Sequence, residues 1–148
     1  KFEVAVELGA TDCINPAGLA EGVSIVSVLQ QRTTWGVDYT FDCTGNTQVM
    51  RSALEAAHRG WGVSCVIGVA AAGKEIATRP FQLVTGRTWK GTAFGGWKSR
   101  SQVPQLVRRV MSGELPIGRY ITHTYDGLEG TQEAIDALHS GQCLRAVV

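Results

Sequence analysis

The feature that most constrains the fold is a nearly continuous apolar run, residues 62–69, that is bounded by glycines. A strand covered on both faces, as in a parallel sheet, has this composition, whereas a strand with one wet face alternates apolar and polar residues. Two segments with apolar residues at helical spacing precede the run, residues 19–31 and a segment that Asn46 caps. Strands alternating with helices predict right-handed βαβ units. The sequence therefore indicates an α/β fold with a doubly wound parallel sheet.

The pattern of predicted elements changes near residue 95. Before it, helices are predicted over residues 4–8 and 19–31 and from Asn46 to Gly60, and strands over residues 12–16, 37–43, 62–69 and 88–94. After it, helices are predicted over residues 103–111, with Pro104 in the first turn, and around residues 134–138, and strands over residues 120–124 and 144–148. This change predicts two domains, residues 1–93 and residues 94–148.

Composition excludes several function classes. The net charge is +1, and the densest basic cluster is only Arg108 and Arg109, so no nucleic-acid surface is expected. No apolar run reaches the length of a membrane span, and residues 1–4 do not resemble a secretory signal, so a cytoplasmic protein is expected. The four cysteines and three histidines lack metal-ligand spacing, so this stretch predicts no zinc site.

A P-loop is the first candidate motif. Residues 68–74 satisfy G-x-x-x-x-G-K, but the next residue is Glu75 where magnesium binding needs Ser or Thr. The following segment, which contains Pro80, also interrupts the helix that a P-loop opens. A glycine-rich turn after a buried strand is the better interpretation.

The second candidate is the set of predicted strand ends at residues 43–46, 67–69 and 92–94. Ligands of doubly wound sheets bind at the carboxyl ends of parallel strands, where glycines let the backbone approach a flat ligand. Ordinary strand-to-loop turns have the same pattern, and the glycine fingerprint for dinucleotides is absent. The pattern alone leaves both interpretations open.

Longer strings carry a resemblance to a known family. Residues 79–99, 8–16, 60–64 and 139–145 closely resemble stretches of class III alcohol dehydrogenases, in the zinc-dependent medium-chain dehydrogenase family. The resemblance covers essentially the whole chain. It implies an incomplete Rossmann-type sheet followed by the C-terminal part of a catalytic domain. It also implies that the parent enzyme oxidises S-hydroxymethylglutathione, the formaldehyde–glutathione adduct, and primary alcohols such as ethanol, with NAD.

The same resemblance assigns roles to individual positions. It places Lys1 near the adenosine ribose, the pyrophosphate against Arg145, and a glutathione carboxylate against Arg59, where the family pattern usually has Lys. Residues flanking the adenine and its ribose, or holding the nicotinamide carboxamide through the backbone, are Cys43, Thr44, Asn46, Ile67, Gly68, Thr92 and Phe94. The edge strand near Trp89 is implied to form a homodimer.

The family's zinc ligands, proton relay and glycine fingerprint are implied to lie upstream of Lys1. We therefore expect that this polypeptide is a C-terminal fragment and is inactive alone. Two alternatives remain open: another class of zinc alcohol dehydrogenase, and a short non-catalytic dimerisation or binding module.

Overall fold

The computed structural model describes residues 1–148. The chain divides into two compact units, Lys1–Gly96 and Trp97–Val148. The first unit thus extends slightly past the boundary expected at Ala93, and the assignment of the two units to a nucleotide-binding and a catalytic domain stays a prediction. No helix is both long and apolar enough to cross a membrane.

A three-stranded parallel sheet forms the centre of the first unit. The strands are β1 (Tyr39–Asp42), β2 (Val63–Val66) and β3 (Thr88–Gly91), in the order β1-β2-β3. The central strand β2 comes from the apolar run, and its Ser64 and Cys65 are buried. The predicted α/β fold with a parallel sheet is confirmed, and each strand is shorter than predicted.

The first unit also contains four helices. They are α1 (Phe2–Glu7), α2 (Ile25–Arg32), α3 (Thr47–Ala56) and α4 (Phe81–Val84), with 3-10 turns at Pro16–Gly18 and Phe94–Gly96. Of these helices, α3 packs against β1 and β2. The side chain of Asn46 caps α3 as predicted, accepting from the amides of Gln48 at 2.8 Å and Val49 at 3.3 Å. Helix α2 begins only at Ile25, because Ser24 accepts from the amide of Ser27 and so fixes the start.

The strand predicted over residues 12–16 is wrong. A strand needs a neighbour for its backbone amides and carbonyls, and this segment pairs with none. Instead, the Asn15 side chain accepts from the amide of Ala17 at 3.1 Å and opens the 3-10 turn Pro16–Gly18. The strand predicted to reach Phe94 ends at Gly91, because Phe94 enters a 3-10 turn with φ 52°.

The second unit contains α5 (Ser99–Met111), α6 (Thr131–His139) and a short parallel pair of β4 (His123–Thr124) with β5 (Ala146–Val147). Two 3-10 turns, Ile117–Tyr120 and Leu128–Gly130, connect these elements. Pro104 was expected in the first helical turn but lies inside α5, because the helix begins at Ser99. The unit buries Ala134 and Cys143.

Candidate functional site

The carboxyl ends of β1 and β2 are joined through Asp42, the last residue of β1. Its backbone carbonyl accepts from the amides of Ile67 and Gly68, each at 2.9 Å. The side chain is also enclosed, with only 1% of the residue exposed. The loops that follow the two strands therefore form one edge, as expected for parallel strands.

The Asp42 carboxylate organises the loop that follows it. Its Oδ1 accepts from the amide of Thr44 at 3.1 Å and from the Thr44 hydroxyl at 2.6 Å, and its Oδ2 accepts from the amide of Gly45 at 3.3 Å. Burial acts to raise the pKa of Asp42, but these three hydrogen bonds outweigh it and hold the pKa below the usual aspartate value. The carboxylate is therefore a structural anion that fixes the β1 loop.

Gly68 lets the two loops approach each other. A Cβ atom at this position would lie 2.7 Å from Asp42 Oδ2 and 2.8 Å from the amide nitrogen of Thr44. No side chain fits in that space. We conclude that the close contact between the β1 and β2 loops depends on glycine here.

The structure brings most of the expected cofactor residues to this edge. Cys43, Thr44 and Asn46 lie on the β1 loop, Ile67 and Gly68 follow β2, and Thr92 follows β3, its amide donating to the carbonyl of Val66 at 3.1 Å. The Thr44 hydroxyl also accepts from the amide of Asn46 at 3.1 Å, and the Asn46 side chain caps α3. The Thr44 hydroxyl is therefore engaged within the loop, whereas Asn46 uses only its Oδ1 for the cap and its amide nitrogen is left for a ligand.

Three expected residues stand apart from this network. Phe94 is exposed and has φ 52°, in the left-handed region. Lys1 is exposed at the start of α1. Arg145 belongs to the second unit, where its carbonyl accepts from the amides of Thr122 and His123.

A second polar centre closes the C-terminal end of α3. Arg87 is 9% exposed, and its Nε donates to the carbonyl of Ala57 at 2.8 Å, while Nη2 reaches the carbonyl of Glu55 at 3.5 Å. Gln30 Nε2 donates to the same Glu55 carbonyl at 3.1 Å. Burial lowers the pKa of Arg87 and the positive charge of Arg59 lowers it further, with Glu55 acting in the opposite direction. Arg87 still carries its charge at neutral pH, as arginine does in proteins.

Beside this centre lies a cavity of about 240 Å³ that is lined by Gln30, Trp35, Arg59 and Arg87. The amide of Arg59 donates to the carbonyl of Trp35 at 3.2 Å, and its guanidinium lies 5.6 Å over the ring of Phe81. No carboxylate forms an ion pair with Arg59. The residue expected to bind a substrate carboxylate therefore presents an unpaired positive charge to a cavity.

Sequence reasoning missed Asp42 and Arg87. For Asp42 a local signal exists, since aspartate favours an Asx turn, in which its side chain accepts from the backbone amide two residues on. For Arg87 there is none, because its partners lie about thirty residues earlier in the chain.

The residues present do not form a metal site. No group of three or more His, Cys, Asp or Glu side chains lies close enough together to hold a metal ion. All four cysteines are free thiols. A tetrahedral zinc site needs at least three such ligands, so zinc has no donor set of that kind within these residues.

Comparison with known proteins identifies relatives along the whole chain. S-(hydroxymethyl)glutathione dehydrogenase of Photobacterium damsela subsp. piscicida is 57% identical over 148 residues, which are 100% of this chain and 39% of that protein. Alcohol dehydrogenase class-3 of Caenorhabditis elegans is 58% identical over 150 residues, with the same two shares. The chain thus spans about 39% of the length of these relatives and matches their C-terminal part.

Solved structures agree on the fold. An alcohol dehydrogenase zinc-binding domain protein from Burkholderia ambifaria superposes with a TM-score of 0.80 at 29% identity, covering 97% of this chain and 37% of that one. Benzyl alcohol dehydrogenase from Acinetobacter calcoaceticus has a TM-score of 0.80 at 23% identity, covering 97% and 38% of the two chains. The family model described as zinc-binding dehydrogenase matches residues 1–112. With that match over most of its length, the chain belongs to the zinc-binding dehydrogenase family.

Proposed function

We propose that this chain is the C-terminal part of a zinc- and NAD-dependent dehydrogenase that oxidises S-hydroxymethylglutathione, and primary alcohols such as ethanol. The observation that supports this most strongly is the 57% identity, over all 148 residues, to a protein named for that activity. When bound in such an enzyme, zinc would supply Lewis-acid polarisation of the alcohol oxygen. We place its ligands in the region of the relatives that this chain does not span.

The contribution proposed for this chain is to bind NAD at the edge formed by the β1, β2 and β3 loops. The hydrogen bonds to the Asp42 carboxylate support this proposal, because they hold the loop backbone in place. The carboxylate itself is buried, so its charge would not face a flat ligand. Cys43, Thr44 and Asn46 would flank the adenosine, while Ile67, Gly68, Thr92 and Phe94 would border the nicotinamide. Lys1 and Arg145 would contact the ribose and the pyrophosphate, where an arginine fork suits two charged oxygens.

Arg59 is the proposed substrate residue. Its lack of an ion-pair partner and its place in a cavity support a role in binding the glutathione carboxylate. The guanidinium replaces the lysine that is usual in the resembling family and keeps the positive charge.

We further propose a cytoplasmic homodimer. The strand β3 ends the sheet on one side, so its outer edge near Trp89 is free to pair with a second copy. The four free thiols fit a reducing compartment.

The first experiment is the intact mass of the protein from its natural source, followed by an assay of NADH formation from formaldehyde and glutathione. We expect a chain of roughly 300 residues or more, the size of two full domains, with activity that requires both substrates and is lost on zinc removal. We expect the 148-residue chain alone to be inactive. A natural chain of only these residues would contradict the proposal and favour a non-catalytic binding module. Activity with ethanol but none with formaldehyde plus glutathione would instead indicate another alcohol dehydrogenase class.

A further inference from the structure

Trp35 has a backbone conformation that its side chain disfavours. Its φ is 71°, in the left-handed region, and 66% of the residue is exposed. For a bulky side chain this conformation is an outlier, and such strain persists only where neighbouring structure holds it, most often at functional sites.

Hydrogen bonds of the neighbouring backbone hold residue 35 in this conformation. The carbonyl of Trp35 accepts from the amide of Arg59 at 3.2 Å, and the amide of Val37 donates to the carbonyl of Ala56 at 3.1 Å. Between them, a Cβ at Gly36 would lie 2.7 Å from the Ala56 carbonyl oxygen, so the turn is pressed against the end of α3. These contacts fix the backbone of residue 35, but none of them involves the exposed indole.

Trp35 lines the same cavity as Arg59, Arg87 and Gln30. Arg87 donates to the carbonyls of Ala57 and Glu55, and Gln30 also donates to that of Glu55. The Arg59 guanidinium, by contrast, has no anionic partner. The cavity therefore offers one free cation and one aromatic surface, Trp35, within about 240 Å³. An organic carboxylate with a planar group next to it complements that pair, because the anion matches the guanidinium and the flat group packs on the indole.

We propose that Trp35 is a specificity-determining residue, whose indole packs against the amide plane next to the ligand carboxylate that Arg59 binds. The inference rests on the proposed function, in which that ligand is a glutathione adduct with a C-terminal glycine. The indole thus favours a peptide carboxylate over a simple one such as acetate.

The test measures binding by calorimetry, with the protein at its natural length and S-methylglutathione, N-acetylglycine and acetate as probes. We expect Arg59→Ala to weaken S-methylglutathione binding about 10-fold or more. We expect Trp35→Gly to weaken it about 3- to 10-fold, the usual contribution of an aromatic contact, and to leave acetate binding unchanged. Glycine accepts the φ of residue 35, so this variant tests the indole without straining the fold, and Arg100→Ala removes an exposed arginine of the second unit as the control.

The possible outcomes separate the role of the Trp35 indole from that of Arg59. If Trp35→Gly binds S-methylglutathione as tightly as the wild type while Arg59→Ala does not, the role of the indole is wrong and the proposed role of Arg59 stands. If the wild type binds acetate as tightly as S-methylglutathione, the indole confers no specificity and the inference is also wrong. If no probe binds, both roles are wrong, and NADH formation from formaldehyde and glutathione decides separately whether the proposed activity survives.

Discussion

Buried side chains of opposite charge lie near the two ends of helix α3. Before its N-terminal end, the Asp42 carboxylate accepts from the amides of Thr44 and Gly45, and Asn46 caps the first turn. At its C-terminal end, the Arg87 guanidinium donates to the carbonyls of Ala57 and Glu55. The cation near the last carbonyls suits the helix dipole, whereas the carboxylate pairs amides of the loop that precedes the helix.

The two ends differ in what they leave unused. Around Asp42, the carboxylate oxygens and the nearby amides are paired with one another, so that end presents a fixed backbone. Around Arg87, a second cation, Arg59, remains without an ion-pair partner beside a cavity. The Asp42 end therefore presents fixed backbone, whereas the Arg87 end lies beside an arginine that no carboxylate pairs. Substitutions at either end test this contrast.

The largest effect is expected at Gly68, where the loops at the Asp42 end meet. Gly68→Ala would place a Cβ 2.7 Å from Asp42 Oδ2 and 2.8 Å from the Thr44 amide nitrogen, so the loops must separate and the hydrogen bonds from the Ile67 and Gly68 amides to the Asp42 carbonyl are weakened. We expect a loss of about 4 kcal/mol in the free energy of unfolding, measured by urea denaturation. Gly18→Ala is the matched control, since nothing lies within 4 Å of its Cβ. Equal stabilities for the two variants would show that the contact is not tight.

The second effect tests the charge at the same end. Asp42→Asn retains the shape but loses the anion that three donors share, and we expect it to cost about 3 kcal/mol at pH 7. The folded pKa lies below the unfolded value, so the stabilising contribution is present above the unfolded pKa of about 3.9 and is lost as the pH falls through the folded pKa.

The pH dependence separates this charge from simple packing. The stability difference between wild type and Asp42→Asn should be constant from neutral pH to about pH 5 and shrink in more acidic solution. Glu21→Gln, at an exposed position, is the control and should show no such convergence. A difference that does not change with pH would mean that the charge of Asp42 contributes nothing.

The third prediction concerns the hydrogen bonds that Arg87 donates at the C-terminal end of α3. Arg87→Ala removes the side-chain donor of the Ala57 carbonyl and leaves the Glu55 carbonyl with Gln30 alone, and we expect it to cost about 2 kcal/mol in thermal or chemical unfolding. Arg87→Lys restores the charge but not the planar fork, so it should recover only part of the loss. Full recovery with lysine would show that charge alone, rather than the geometry of the guanidinium, closes this end.

The contrast between the two ends also explains what sequence reasoning reached. Local signals were sufficient for the Asn46 cap, the apolar run that forms β2 and the parallel sheet. The Arg87 centre was out of reach, because an arginine between Gly86 and Thr88 is typical of a surface turn until the end of α3 is known to lie against it. The wrong strand at residues 12–16 has a related cause, since an extended segment forms a strand only beside a neighbouring strand, and Asp12, Asn15 and Pro16 are types that strands disfavour.

The smallest expected effect has the opposite sign. Trp35→Gly relieves a left-handed φ of 71° on a bulky residue whose side chain is mostly exposed, and we expect it to raise the free energy of unfolding by about 1 kcal/mol. The gain is limited because glycine also gives the unfolded chain more freedom. Trp35→Ala is the matched control, since it removes the indole but keeps the Cβ that makes the conformation unfavourable. If alanine stabilised the protein as much as glycine, the indole rather than the backbone would be the source of strain. If neither variant were more stable than the wild type, the indole would contribute packing that offsets its backbone cost, and strain at Trp35 could not be taken as a sign of function at this end of α3.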